Sequence, residues 1–105
     1  MAVAFLQEFA PTGDTSTTNY DAINERIGAE GLPAGLIVHS AGFGEDGTFR
    51  IYDVWESMED LERFKNERLM PLVTELMAAG DAAAPTRQVE YELHNVISPV
   101  RAGVS

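Results

Sequence analysis

Residues 35–55 are the stretch that leaves this sequence the fewest folds. Two runs, GLIVHSAGF (35–43) and TFRIYDVW (48–55), are rich in the β-branched and aromatic residues of strands. The turn GEDG between them holds Gly44, Asp46 and Gly47. Two strand patterns joined by so short a polar loop predict a hairpin. Neither run is apolar on one side alone. Leu36 and Val38 fall on one face of the first, with Ile37, Ala41 and Phe43 on the other. In the second, Phe49 and Ile51 oppose Tyr52 and Val54. An antiparallel sheet with one wet face alternates apolar and polar residues. A hairpin apolar on both sides needs cover twice, and helices supply it once. The expected second cover is another copy of the chain.

The remaining elements fall around this hairpin. Residues 2–9, AVAFLQEF, read as a first strand with Phe5, Gln7 and Phe9 on one face and Ala4, Leu6 and Glu8 on the other. The loop PTGDTSTTN follows. Thr18, three residues before Asp21, predicts a helix start resembling a capping box, and Tyr20, Ile23 and Ile27 follow at helical spacing. Gly28 and Gly31 supply the stop, and Pro33 confirms it. After the hairpin, Ser57 predicts a second N-cap, with Glu59 and Asp60 in the first turn and Met58, Leu61 and Phe64 on one face. Pro71 lacks an N–H, so a kink or break is expected near residues 67–70. An apolar stripe of Leu72, Val73, Leu76 and Met77 then runs to Gly80. DAAAPT reads as a linker and QVEYELHNVI (88–97) as a last strand, in which Val89, Tyr91 and Leu93 alternate with Gln88, Glu90 and Glu92. The order is βαββαβ: an α+β, ferredoxin-like domain over residues 1–105, a four-stranded antiparallel sheet with both helices on one face.

Charge and composition exclude several functions. With a formal net charge of −10 and scattered basic residues, the chain would be repelled by phosphate backbones and anionic membranes, so neither nucleic acid nor membrane is an expected partner. No apolar run reaches a membrane span and no signal-peptide pattern opens the chain, which predicts a cytoplasmic protein. There is no cysteine, hence no disulfide and no thiolate metal site. Two histidines far apart give no metal-ligand spacing, and phosphate-loop, dinucleotide and nucleophile-elbow motifs are missing. No metal and no tightly held cofactor are expected.

Within Leu32 to Leu72, the segments LPAGLIVHSAGF, GEDGTF and RIYDVWESMEDLERFKNERLMPL resemble the dimeric α+β barrel superfamily, in particular its antibiotic biosynthesis monooxygenase-like small proteins. The Val54-Trp55-Glu56-Ser57 step from strand to helix and the strand-borne His39 carry most of the likeness, and LHNVI near the C-terminus fits it. The resemblance implies two sheets face to face in a homodimer, with a small-molecule pocket between each sheet and its own helices. It also implies a range of chemistry: cofactor-independent oxygenation of polycyclic phenols, haem degradation and polyketide cyclisation. The haem-degrading branch pairs a strand Asn with a Trp and a His on the later helix. Here the strand offers Gln7, the later helix has no His and Trp55 ends a strand, a departure from that branch's pattern that leaves haem binding through His39 or His94 as a lesser alternative.

His39, mid-strand among apolar neighbours, suits a base that takes a proton from a phenol or an enolisable carbon. A core histidine held by one hydrogen bond is the structural alternative. Asp53 shares a strand face with Phe49, Ile51 and Trp55. It would orient His39 across the hairpin, act as the base itself, or cap a backbone donor. Trp55 is a core residue or a pocket wall that stacks on a flat ligand. Tyr20, Asn24 and Phe64 are the further candidates for the substrate wall. His94 and Asn95 are placed on opposite faces near the end of the last strand, His94 exposed to solvent or at the dimer boundary, and Arg50 and Tyr52 at a subunit interface. The expected function is binding, and transforming by cofactor-independent acid–base chemistry, a small hydrophobic, aromatic or polyketide-like molecule. The alternatives are a non-catalytic binder, a structural dimer, or a cyclase or isomerase.

Overall fold

Alternation of side chains along the chain produces four strands in a computed structural model that describes residues 1–12, 16–79 and 84–98. They are β1 (Val3–Phe9), β2 (Leu36–Phe43), β3 (Phe49–Trp55) and β4 (Arg87–Glu92). All neighbours are antiparallel, in the order β2-β3-β1-β4. The helices are α1 (Thr18–Gly28), α2 (Met58–Phe64) and α3 (Met70–Ala78). A π-helical turn over Lys65–Leu69 joins the last two into one rod. This is the ferredoxin-like α+β arrangement that the element order predicts.

The register sorts the side chains into rows across the sheet. On the face toward the helices run Leu36–Trp55–Val3–Glu92, then His39–Asp53–Phe5–Glu90, Ala41–Ile51–Gln7–Gln88 and Phe43–Phe49–Phe9. Leu36 belongs to this face because the register shifts between Leu36 and Val38. Such a shift is the mark of a β-bulge, in which one extra residue, here Ile37, opposes no partner. Plain alternation had put Leu36 with Val38 and Ile37 with His39; the bulge corrects both. Gly35, just before it, has φ +86°, and a Cβ there would lie 2.4 Å from the Asp60 Cγ of α2. Only glycine allows both the backbone angle and that approach.

The opposite face carries the rows Val38–Val54–Ala4–Tyr91, Ser40–Tyr52–Leu6–Val89 and Gly42–Arg50–Glu8–Arg87. The apolar side of β4 therefore points away from the helices. Its polar side points toward them, where Lys65 Nζ lies 2.6 Å from Glu90 Oε2 and over the ring of Phe5. Val38 and Tyr91 remain 42% and 45% exposed. At the charged end, Glu8 accepts from Arg50 Nε at 2.8 Å and Arg87 Nη1 at 2.9 Å.

Several local expectations need correction. The N-cap of α1 is Thr17, whose hydroxyl donates to Asp21 Oδ2 at 2.7 Å rather than accepting from a backbone N–H. Ser57 does cap α2, accepting from Asp60 N at 3.1 Å. Leu61 and Phe64 are buried from that helix, whereas Met58 is exposed. The disturbance expected near residues 67–70 takes the form of the π-helical turn over Lys65–Leu69, just ahead of Pro71, and the chain stays helical through it rather than breaking. Strand β4 stops at Glu92 instead of residue 97. Its neighbour β1 begins at Val3, and beyond Glu92 the pairing ends with Leu93 N donating to Ala2 O at 2.8 Å. His94 thus lies past the sheet and exposed, and the two-face placement of His94 and Asn95 does not hold. The expected helix end at Gly80 and residues 81–83 of the expected linker fall outside the described residues. No helix among the described residues is long and apolar enough to cross a membrane.

The core sits at one end of the helix-facing side. Val3, Phe5, Trp55, Leu61 and Phe64 form it, with Ile27, Leu36 and Leu69 packed against them. Helix α1 has no buried residue. It is tied to the rod by Arg68, whose Nη2 donates to Ile27 O and to Gly31 O, the carbonyls at the α1 C-terminal end. Between α1 and the sheet the chain leaves space.

Candidate functional site

That space is a cavity of about 640 Å³, roofed by α1, floored by the helix-facing rows of the sheet and closed at the core end by Trp55, Phe64 and Leu69. Its size suits a drug-sized or polycyclic molecule. At the hairpin end, Phe49 is the hub of an aromatic cluster. Phe43 lies 4.9 Å from it, Tyr20 5.4 Å edge-on and Phe9 6.3 Å. At the core end Trp55 and Phe64 pack at 4.8 Å. The Trp55 Nε1–H is buried and meets no acceptor among the described residues.

The polar centre comes from two elements. His39 and Asp53 are direct cross-strand partners on β2 and β3, so their side chains rise side by side from the floor. His39 Nδ1 lies 2.6 Å from Asp53 Oδ1. The carboxylate is 6% exposed and the imidazole 29%. An ionised carboxylate only accepts, so the imidazole proton sits on Nδ1 and the free lone pair on Nε2. Nε2 meets the hydroxyl of Tyr20, from the first turn of α1, at 2.5 Å. The two rings are parallel to within 5°, with centroids 5.9 Å apart. Tyr20, His39 and Asp53 form one hydrogen-bonded line from roof to floor.

Electrostatics tune both ends of the line. The hydrogen bond to Asp53 raises the His39 pKa above the ordinary imidazole value; burial opposes this and the Asp53 charge adds to it. Burial raises the Tyr20 pKa, reinforced by the negative charges of Asp53 and Asp21, so the phenol keeps its proton. In the neutral state Tyr20 O–H donates into Nε2. Once His39 is protonated, Nε2–H donates to the phenol oxygen, and the Tyr20 O–H, still protonated, turns toward the cavity as a donor.

All six residues singled out from the sequence, His39, Asp53, Tyr20, Asn24, Trp55 and Phe64, line this one cavity. Of the readings left open for Asp53, the hydrogen bond to His39 is the one the geometry contains. Arg50 and Tyr52 lie on the opposite face, Arg50 bound to Glu8 and Asp46. Sequence reasoning missed the Phe9–Phe43–Phe49 cluster, although all three sit at matching parity around the hairpin end. It also missed that Tyr20 reaches His39, since helical spacing alone accounts for a tyrosine there. Among the described residues no group of three or more His, Cys, Asp or Glu side chains gathers to hold a metal.

No protein-family model matches the sequence, nor does any curated protein. Solved structures do match. A mutant of SnoaB, a cofactor-independent oxygenase from Streptomyces nogalater, superposes with a TM-score of 0.62 at 16% identity, covering 91% of this chain and 96% of that one. A protein provisionally named an antibiotic biosynthesis monooxygenase, from Chloroflexus aurantiacus, gives 0.66 at 12% identity over 93% and 98%. The haem-degrading protein Rv3592 from Mycobacterium tuberculosis gives 0.61 at 13% identity over 93% and 100%. The chain has the fold of antibiotic biosynthesis monooxygenase-like proteins, a fold shared by different chemistries.

Proposed function

We propose that the cavity takes up a flat, uncharged, hydroxylated aromatic or polyketide-like molecule and that His39, oriented by Asp53, withdraws a proton from it. The hydrogen-bonded line Tyr20–His39–Asp53 at the wall of an aromatic cavity carries this reading. A carboxylate behind an imidazole fixes its tautomer and stabilises the imidazolium that forms. A deprotonated, electron-rich arene reduces dioxygen by itself, so the reading requires no resident cofactor. In an anthrone, the ring methylene becomes a carbonyl, one oxygen atom enters the product and the other leaves as water. The oxygenase activity of SnoaB, on the same fold, supports the direction of this chemistry. An anionic ligand is disfavoured because no Lys or Arg is among the described residues that line the cavity, while Asp53 is. A second subunit on the face of the sheet away from the helices, where Val38 and Tyr91 stand exposed, completes the proposed assembly.

The test is oxygen uptake with dithranol, a tricyclic anthrone, by wild type, His39→Gln and Asp53→Asn. Wild type is expected to accelerate uptake and His39→Gln to lose about 100-fold of that acceleration, the lower range for a positioned base. In the same series a methyl ester of an anthracene carboxylic acid should bind at least about tenfold more tightly than the free acid. Equal turnover by wild type and His39→Gln refutes the base; preference for the free acid refutes the uncharged ligand.

A further inference from the structure

We infer that Tyr20 is a proton relay, the group through which the substrate proton reaches His39. This rests on His39 being the base. The argument begins with occupancy. His39 has two ring nitrogens; Asp53 holds Nδ1 at 2.6 Å and the Tyr20 hydroxyl holds Nε2 at 2.5 Å. The base therefore presents no free nitrogen to the cavity, whereas Tyr20 also lines it and carries the oxygen that is bonded to Nε2.

A substrate O–H that donates to Tyr20 Oη completes a chain of two hydrogen bonds ending on Nε2. Two protons then move along it together. The substrate O–H bond breaks as the Tyr20 oxygen gains that proton, and the Tyr20 O–H bond breaks as Nε2 gains the second. The products are a substrate oxyanion, a neutral tyrosine and an imidazolium paired with Asp53. No free phenolate arises, in keeping with burial and two nearby carboxylates that hold the Tyr20 proton in place. After transfer the Tyr20 O–H donates to the oxyanion it has just generated, so one hydroxyl serves first as conduit and then as stabiliser. The route suits O–H acids, phenols and enols, whose protons travel along hydrogen bonds. Phe49, edge-on at 5.4 Å, supports the Tyr20 ring in this position.

The experiment compares wild type, Tyr20→Phe, His39→Gln and the double variant in oxygen uptake driven by dithranol, whose enol is an O–H acid, with kcat and KM determined separately. The relay predicts that Tyr20→Phe lowers kcat about 100-fold with KM changed less than about threefold, and that the double variant is no slower than His39→Gln, because both act as one unit. If Tyr20→Phe keeps or raises kcat while His39→Gln loses it, His39 takes the proton directly and the relay is overturned with the base intact. If His39→Gln keeps kcat, or wild type fails to accelerate uptake, the base falls and the relay with it.

Discussion

Asp53 gives His39 a stronger hold on its proton than free imidazole has, and the sign of the pH effects follows. The neutral imidazole is the working form, so kcat/KM should rise with pH along a limb displaced above about 6.5, the unperturbed histidine value. Asp53→Asn removes the largest cause of the raised pKa and leaves the opposing burial, so its limb should lie at lower pH. Stability runs the other way. The folded-state pKa is raised, so the pair's contribution is complete below about pH 6.5 and fades as pH climbs through the folded value. The gap in urea midpoint between wild type and Asp53→Asn should narrow accordingly; a gap constant with pH would remove the linkage. His39 and Asp53 were legible as a pair because both lie on a hairpin whose strands are anchored by one short turn. Tyr20 was not, since its approach to His39 depends on how α1 crosses the sheet, which no local pattern encodes.

At the scale of elements, the fold hangs on a few places where the chain comes unusually close to itself. Gly35 is the sharpest. Its positive φ and the 2.4 Å separation between a built Cβ and Asp60 Cγ leave no room for a side chain. Asp60 has little freedom to retreat, because Ser57 Oγ and Arg63 Nη1 both donate to its carboxylate at 2.9 Å. Gly35→Ala should therefore cost about 2–4 kcal/mol, combining left-handed strain with overpacking, measured by chemical denaturation. A cost under about 0.5 kcal/mol would show that the α2 end adapts freely. The same segment marks what periodicity cannot supply. The order βαββαβ was readable from turn residues, caps and runs, as was the disturbance before Pro71. The bulge at Ile37 was not, because a single inserted residue leaves composition unchanged while moving Leu36 to the other face. Nor does the alternation of Val89 and Tyr91 with Gln88 and Glu90 say which side meets the helices. Lys65 on the rod settles that by drawing Glu90 inward.

One face of the sheet lies under helices, and no helix among the described residues covers the other. The second bears an apolar row whose two ends, Val38 and Tyr91, are exposed, and next to it Tyr52, Leu6 and Val89, beside the Arg50–Glu8–Arg87 row. Apolar surface rimmed by paired charges is the composition of a subunit interface. Sedimentation at micromolar concentration should give twice the chain mass of 11.4 kDa, and Val38→Asp should return the single-chain value; a monomeric wild type would end this assembly. The other face carries a consequence of its own. Trp55 is the sole tryptophan of the chain, 1% exposed, packed against Phe64 and part of the cavity wall. The protein thus contains its own lamp. Buried indole emits toward the blue, and a flat conjugated guest in the cavity lies close enough to drain that light, so occupancy can be watched by ultraviolet fluorescence with no label attached.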